Sequence, residues 1–196
     1  MGLVADDQVD ENHQKHTIDL LVIGSSIVKY IDAKKIERRN PETSQTICIP
    51  GGKCHDILRK LKAMTNSHNV NKMVVHVGAN HMPHDSPNDI ARHLSNMYRE
   101  IKTLFPKTLI YDSSMIPRLD NRFLSATNFV NNRVTEICNQ LRIKTIFHPQ
   151  FGYDDINFQF LKQDGVHPTY TGTAIIAKNI IAVYRNYDRN RSILQA

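Results

Sequence analysis

The sequence has few cysteines and no long apolar run. Its three cysteines, Cys48, Cys54 and Cys138, are an odd and widely spaced set, which argues against a disulfide framework and against a CxxC metal site. No apolar run approaches the roughly 20 residues that a membrane-spanning helix needs. Residues 1–16 are too polar and acidic for a secretory signal. We therefore expect a soluble, intracellular chain with reduced thiols.

Aromatic residues are also sparse, at 7% of the chain. Binders of single-stranded nucleic acid interleave aromatic and basic side chains, so this composition argues against that class. The formal net charge is +6, which favours contact with an anionic surface such as phospholipid or nucleic acid. The basic residues are spread along the chain, however, and most are expected on solvated helix faces.

Short apolar runs alternate with longer stretches of helical periodicity from Thr17 onwards. No internal repeat or second-domain boundary interrupts them, so we predict an arm or linker over residues 1–16 and one domain over 17–196. Alternation of strands and helices predicts an α/β/α sandwich around a parallel sheet of about five strands in flavodoxin-like order. The predicted strands are Ile18–Ile23, Thr46–Ile49, Met73–Val77, Thr108–Tyr111 and Lys144–Phe147.

One helix has a clear start signal. Ser86 can cap it, Pro87 suits its first turn, and Asp89 can complete a capping box.

Candidate catalytic residues lie where the predicted strands end. In a doubly wound sheet, ligands bind at the carboxyl ends of the strands. Ser26 follows the first strand, at a strand-to-helix turn that can present its hydroxyl. His167 precedes the last helix, and Asp164 lies three residues earlier. The carboxylate can fix the imidazole tautomer that leaves the other nitrogen free to take the Ser26 proton.

Acyl transfer also needs donors for the developing oxyanion. Gly52 lets a backbone amide approach the substrate closely, and Asn80 offers a neutral side-chain amide. The backbone amide of Ser26 would be the third donor. Each motif alone is common, whereas the ordered set is much more specific.

Read together, Gly24-Ser25-Ser26, Pro50-Gly51-Gly52, Gly78-Ala79-Asn80 and Asp164-Gly165-Val166-His167-Pro168 resemble the blocks of the SGNH hydrolases. The resemblance spans roughly residues 18–184. It implies a nucleophile at Ser26, oxyanion donors at Gly52 and Asn80, and an acid and base at Asp164 and His167. We expect no cofactor, and no metal is assigned to the site.

A narrower resemblance is to the esterase domain in open reading frame 1 (ORF1) proteins of LINE-type non-LTR retrotransposons. It is carried by the Gly-Gly-Lys-Cys-His-Asp-Ile turn and by residues 113–118, 128–132 and 164–172. That group is similar to intracellular platelet-activating-factor acetylhydrolases, which implies removal of short acyl groups, with lipid or membrane as the partner. It also implies a larger protein in a ribonucleoprotein particle, with RNA binding and self-association supplied by other segments.

The chain departs from the family pattern at three positions. Ser25 replaces the aspartate of the Gly-Asp-Ser signature, Lys53 replaces an aspartate frequent after the glycine of the second block, and His81 replaces one that often follows the asparagine. These changes are expected to alter loop support, substrate choice or rate.

Other interpretations stay open on the sequence alone. His76, His81, His84 and Asp85 lie close enough along the chain for a metal site, and Cys54 lies beside the glycine loop. An inactive hydrolase scaffold could instead bind RNA or anionic lipid through its basic surface.

Carbohydrate deacetylation and lysophospholipase action use the same constellation and would differ in the walls of the acyl site. Those walls are expected in the loops over 114–124 and 149–163. The second loop holds Phe151, Tyr153, Phe158 and Phe160.

Overall fold

The computed structural model describes residues 15–119 and 123–194, with side chains described as far as residue 185. The domain predicted over 17–196 is largely within these ranges. Most of the arm predicted over 1–16 lies outside the described residues. His16, the last residue of that predicted arm, is the first residue of the first strand.

Within the described residues, parallel strands form one five-stranded sheet in the order β2-β1-β3-β4-β5. The predicted fold class and strand order are therefore confirmed. The parallel strands are connected through crossover segments, which cover both faces of the sheet. The strands are β1 (His16–Gly24), β2 (Gln45–Cys48), β3 (His68–His76), β4 (Leu109–Ser113) and β5 (Lys144–Ile146).

The strand β3 begins five residues earlier than the predicted start at Met73. Its first residue, His68, pairs with His16 at the amino edge of the sheet. Asn69 and Asn71 are exposed there, while Val70 between them is buried. The apolar run therefore marks only the part of the strand that is buried on both faces. The polar residues before it also belong to the strand, but they do not carry the apolar signal that predicted it.

The helices cover the two faces of the sheet unequally. Three of them, α2, α3 and α4, pack on the face that carries Leu21, Met73 and Ile110. The other face, which carries Leu20 and Val74, packs against α1 and α5. The helices are α1 (Ala33–Ile36), α2 (Cys54–Met64), α3 (Pro87–Leu104), α4 (Leu124–Gln140) and α5 (Tyr170–Leu194).

The predicted start of α3 is confirmed. The Ser86 hydroxyl oxygen accepts a hydrogen bond from the Asp89 amide at 3.2 Å, as an N-cap serine is expected to do. The Asp89 carboxylate accepts from the Ser86 hydroxyl at 2.6 Å and not from the Ser86 amide, so the predicted capping box is not formed. Among the described helices, none has an apolar stretch of membrane-spanning length.

Two histidines are buried in a polar network between the sheet and α5. The Ser113 hydroxyl oxygen lies 2.9 Å from His76 Nδ1 and 2.8 Å from His148 Nε2. The Asn179 amide lies 3.2 Å from the other nitrogen of His148. Burial lowers the pKa of His76 to about 4 and that of His148 to about 3. Both rings are therefore neutral near pH 7, because the charged form would lose its hydration.

These two rings make the free energy of unfolding depend on pH. As the pH falls below about 6.5, the unfolded chain binds protons that the folded chain excludes, so stability falls. Asp112 acts in the opposite sense. Burial raises its pKa to about 6, so as the pH falls the folded chain binds this proton before the unfolded chain does, and stability rises. In His76→Asn, whose side-chain oxygen can still accept from Ser113, the slope between pH 6 and pH 5 should decrease by about 1.2 kcal/mol per pH unit. Urea unfolding at both pH values measures this slope, and a slope equal to that of the wild type would contradict the assignment.

Candidate active site

Ser26 lies where β1 turns sharply away from the sheet. The strand ends at Gly24, and a 3-10 helix over Ser26–Tyr30 begins two residues later. The Ser25 amide donates to the His76 carbonyl oxygen at 3.1 Å. A Cβ atom at position 24 would lie 2.3 Å from the same oxygen, so only glycine fits at this turn. The turn leaves the Ser26 side chain partly exposed at the carboxyl end of the sheet.

The Ser26 hydroxyl meets a histidine and an aspartate from the loop before α5. Its oxygen lies 2.8 Å from His167 Nε2. On the other side of the ring, His167 Nδ1 lies 2.8 Å from Asp164 Oδ2. The structure thus brings together the three residues predicted for the triad, in one continuous chain of hydrogen bonds.

A tight loop holds Asp164 against His167. Gly165 has a φ of +69°, in the left-handed region that favours glycine. The Gly165 amide donates to the Lys162 carbonyl at 2.9 Å, and the Lys162 amide donates to the His167 carbonyl at 2.8 Å. Leu119 packs so closely that a Cβ at Gly165 would lie 2.7 Å from it. The Asp-Gly-Val-His sequence therefore forms a tight turn that brings the Asp164 and His167 side chains together.

Asp164 is held in its ionised form. Its Oδ1 accepts from the backbone amides of His167 and Val166, both at 2.9 Å. The His167 amide is the largest influence that lowers the pKa of Asp164, to about 2, and the Val166 amide and the imidazole add to it. A carboxylate in this position accepts a hydrogen bond from a protonated Nδ1. The other ring nitrogen, Nε2, is then unprotonated and faces Ser26.

The loops with Gly52 and Asn80 lie beside the Ser26 turn because β2 and β3 flank β1 in the sheet. The Asn80 side-chain amide donates one hydrogen bond to the Gly52 carbonyl at 3.0 Å. An asparagine amide carries two N–H donors, so the second remains for another acceptor. The Ser26 amide is at the first position of its 3-10 helix and has no acceptor within that helix.

Gly52 is placed differently from a simple oxyanion donor. Its own amide donates to the Ile49 carbonyl at 2.9 Å, in a turn where Gly51 has a φ of +69°. This amide must therefore be shared or released before it can serve a ligand. The sequence pattern could not show this, because it reports the glycine but not the direction of its N–H.

The possible metal ligands do not form the group that their spacing suggested. His76 bonds to Ser113 beneath the sheet end, and His84 is exposed. In the part of the chain that the structure describes, the group with ligand atoms within 4.8 Å of one another is His81, Asp85 and His93. The Cys54 amide donates to His81 Nε2 at 3.2 Å. In the neutral ring the proton is then on Nδ1, the atom nearest Asp85, so this atom is a donor and not a metal ligand.

Cys54 is a buried thiol beside the glycine loop. Burial raises its pKa to about 12, so it stays protonated and is a poor nucleophile at neutral pH. Among the cysteines, Cys138 is also buried and Cys48 is half-buried.

An apolar groove of about 540 Å³ extends from the triad loop along α5. It borders Tyr30, on the 3-10 helix of Ser26, and Pro168, next to His167. Small and branched apolar side chains line the groove, and lysines also border it. The floor includes Ile36, Ala174, Ala177 and Ile181, and the lysines are Lys35, Lys162 and Lys178.

The expected aromatic walls are not built as predicted. Phe151 is fully buried in the core, and the Tyr153 hydroxyl bonds to the Met115 carbonyl at 3.1 Å. Phe160 is half-buried against Phe151, and Phe158 is 63% exposed. The groove uses Tyr30 and Tyr170 instead. Their distance in sequence concealed that they line one groove.

No family model matches the sequence, and no curated protein matches it. Solved structures do match the fold, with TM-scores of 0.66. A GDSL-like lipase from Bacteroides thetaiotaomicron is 17% identical, over 88% of this chain and 89% of that one. A lipase/acylhydrolase from Enterococcus faecalis is 15% identical, over 87% and 97%. An acetyl xylan esterase is 14% identical, over 85% and 99%. The chain thus shares the fold of these ester hydrolases.

The hydrogen-bonded triad predicts a serine of unusual reactivity. An alkyl fluorophosphonate should label Ser26, because His167 can remove its proton. In Asp164→Asn the imidazole loses its fixed tautomer, and labelling should slow by about 10²-fold to 10⁴-fold. Mass spectrometry of the labelled peptide measures both effects. Ser125→Ala, which removes an exposed serine of α4, is the matched control and should be labelled at Ser26 as fast as the wild type. Equal labelling of wild type and Asp164→Asn would contradict the proposed coupling.

Proposed function

We propose that this chain is a serine esterase that hydrolyses short-chain carboxylic esters through an acyl-serine intermediate. The observation that carries the proposal is the chain of hydrogen bonds from Ser26 through His167 to Asp164. It joins a nucleophile, a base and an orienting carboxylate at the carboxyl edge of a parallel sheet. The shared fold with solved lipases and esterases supports the same reaction class.

In the first half-reaction, His167 Nε2 takes the hydroxyl proton as Ser26 Oγ attacks the ester carbonyl carbon. The carbonyl π electrons move onto oxygen and form a tetrahedral oxyanion. When this intermediate collapses, the bond to the alkoxy group breaks and His167 returns the proton to the departing alcohol. Asp164 stabilises the imidazolium without taking a proton, which agrees with its strongly lowered pKa.

In the second half-reaction, water replaces the alcohol. His167 takes a proton from the water as its oxygen attacks the acyl-serine, and the second tetrahedral intermediate releases the carboxylic acid. The proton returns to Ser26 Oγ. No oxidant, metal or other cofactor enters this balance.

The oxyanion would be stabilised by the Ser26 amide and by the second N–H of Asn80. The bond from Asn80 to the Gly52 carbonyl fixes the orientation of that side chain before substrate arrives. Gly52 would contribute its amide if the bond to Ile49 lengthens on binding. Preorganised donors of this kind lower the barrier because they need no reorientation during the reaction.

Hydrolysis of p-nitrophenyl acetate tests the proposal directly. Ser26→Ala should lower the rate by about 10²-fold or more, since it removes the proposed nucleophile. The matched control Ser125→Ala should match the wild type. Along a series from acetate to octanoate, the rate should decrease with acyl length. Equal rates for the wild type and Ser26→Ala would overturn the enzyme proposal and favour a scaffold that binds RNA or anionic lipid.

For the natural substrate, we propose a lipid ester whose short acyl group lies at Ser26 and whose apolar alcohol part lies in the groove along α5. The groove is bordered by Tyr30, the last residue of the 3-10 helix that begins at Ser26, and by Pro168, which follows His167. Its floor is apolar, which suits a hydrocarbon chain. The exposed amino groups of Lys162 and Lys178 suit an anionic headgroup. Lys35 is paired with Asp32, which also lines the groove, at 3.9 Å.

The groove lysines provide a test of this substrate class. Lys162→Glu combined with Lys178→Glu should lower hydrolysis of an acetylated phospholipid in anionic vesicles by about tenfold at low salt, because the attraction between unlike charges becomes repulsion. Hydrolysis of p-nitrophenyl acetate should be unchanged. Lys60→Glu combined with Lys107→Glu, at two exposed lysines that do not line the groove, is the control with the same change in net charge. Equal loss in the two double variants would indicate a general charge effect and exclude a specific groove.

The narrower resemblance supports a wider setting for this esterase. We propose that it acts within an ORF1 protein of a non-LTR retrotransposon, in a cytoplasmic ribonucleoprotein particle. RNA binding and self-association would then come mainly from other segments of that protein. Catalysis would free a carboxylic acid and change the membrane or lipid surface that the particle meets.

A further inference from the structure

A pair of hydrogen bonds ties the loop after β2 to the loop after β3. In the first, the Asn80 side chain donates to the Gly52 carbonyl at 3.0 Å. In the second, the Cys54 amide donates to His81 Nε2 at 3.2 Å, and both of these residues are buried. Asn80 and His81 are adjacent in sequence, and Gly52 and Cys54 are two residues apart. The spacing of the proposed oxyanion donors therefore depends on both bonds.

The surroundings of His81 fix its tautomer. Because Nε2 accepts the Cys54 amide, the ring proton is on Nδ1, which lies 2.5 Å from Asp85 Oδ2. His93 of α3 stacks on the ring, with centroids 5.1 Å apart. Lys53 adds a nearby positive charge, and burial is the main cause that lowers the pKa of His81. The ring is thereby kept neutral and able to accept.

We propose that His81 is a positioning residue, which holds the Gly52 and Asn80 loops at catalytic spacing by accepting the Cys54 amide. The inference rests on the proposed esterase function. Protonation of His81 would place an N–H opposite the Cys54 N–H and break the tie. Asp85 raises the pKa of His81, whereas Lys53 and His93 lower it. The Cys54 thiol stays neutral near pH 7.

Substitutions at position 81 separate hydrogen bonding from packing. His81→Phe keeps an aromatic ring but cannot accept, so kcat should fall by about tenfold to a hundredfold with little change in KM, as for a weakened oxyanion site. His81→Gln can place an oxygen near the Nε2 position and should restore kcat to within about threefold. His84→Gln, an exposed histidine in the same loop, is the control. A folded His81→Phe with wild-type kcat, or a folded His81→Gln as slow as His81→Phe, would overturn the proposal.

The donor side offers a second pair of variants in case His81→Phe does not fold. Cys54 is the first residue of α2, and Lys53 before it has φ −103° and ψ 178°, a conformation compatible with a following proline. Cys54→Pro removes the N–H, whereas Cys54→Ala removes the thiol and keeps the N–H. Only Cys54→Pro should lower kcat. Equal kcat in the two variants, with intact circular dichroism, would contradict the tie.

The pH profile gives a readout that a purely structural role would not change. In the wild type, protonation of His167 removes the base, and protonation of His81 breaks the tie and slows turnover, so the acid limb of log kcat should be steeper than a slope of one. Glutamine does not titrate, so in His81→Gln the slope should be one. Circular dichroism at each pH shows that the protein is still folded. Equal slopes would exclude titration of a positioning His81.

A spectroscopic measurement separates this inference from the esterase proposal. A long-range ¹⁵N–¹H spectrum should show the His81 proton on Nδ1 and an unprotonated Nε2 near pH 7. A proton on Nε2 would overturn the tie whatever the activity. If the wild type hydrolyses p-nitrophenyl acetate no faster than Ser26→Ala, the esterase proposal fails and the catalytic role of His81 fails with it. The tautomer then shows only whether the two loops are tied.

Discussion

The backbone at Gly24 approaches β3 so closely that the rest of the site depends on it. The Ser25 amide bonds to the His76 carbonyl, and the Ile49 amide bonds to the Gly24 carbonyl at 2.8 Å. The ends of β1, β2 and β3 are thereby joined at one junction. A side chain at position 24 would force this junction apart, and Ser26 would move away from its partners in the adjoining loops.

Near this junction, the exposed titratable group is charged and hydrogen-bonded, whereas the buried imidazoles are neutral. Asp164 is half-exposed, yet two backbone amides and the imidazole hold it ionised. His76 and His148 are buried without a carboxylate, and they remain neutral. A charge therefore occurs where the proposed chemistry needs it, while these two buried imidazoles are uncharged. This separation follows from the high cost of burying an unpaired ion.

The sequence was informative where short-range patterns determine structure. Apolar runs located the strands, and Ser86 with Pro87 located the start of α3. The order of Ser26, Asp164 and His167 indicated the triad, because those residues follow strand ends or precede a helix.

Other features depend on contacts between distant segments, and no local pattern reports them. The engaged amide of Gly52 is set by the turn with Ile49, and the role inferred for His81 is set by Cys54, 27 residues away. Phe151 was expected in a substrate wall, but the packing of α5 buries it in the core. An aromatic residue in a loop carries the same sequence signal in either setting.

The direction of α5 has a consequence for how the domain can be joined to other structures. The helix starts three residues after His167 and passes Tyr184, whose hydroxyl accepts a hydrogen bond from Lys72 in the middle of β3. A helix of 25 residues is about 37 Å long, so it runs back across the full depth of the sheet. The start of β1 and the end of α5 thus lie at the edge remote from the cleft. Attachment through either of these points leaves Ser26 facing away from the point of attachment.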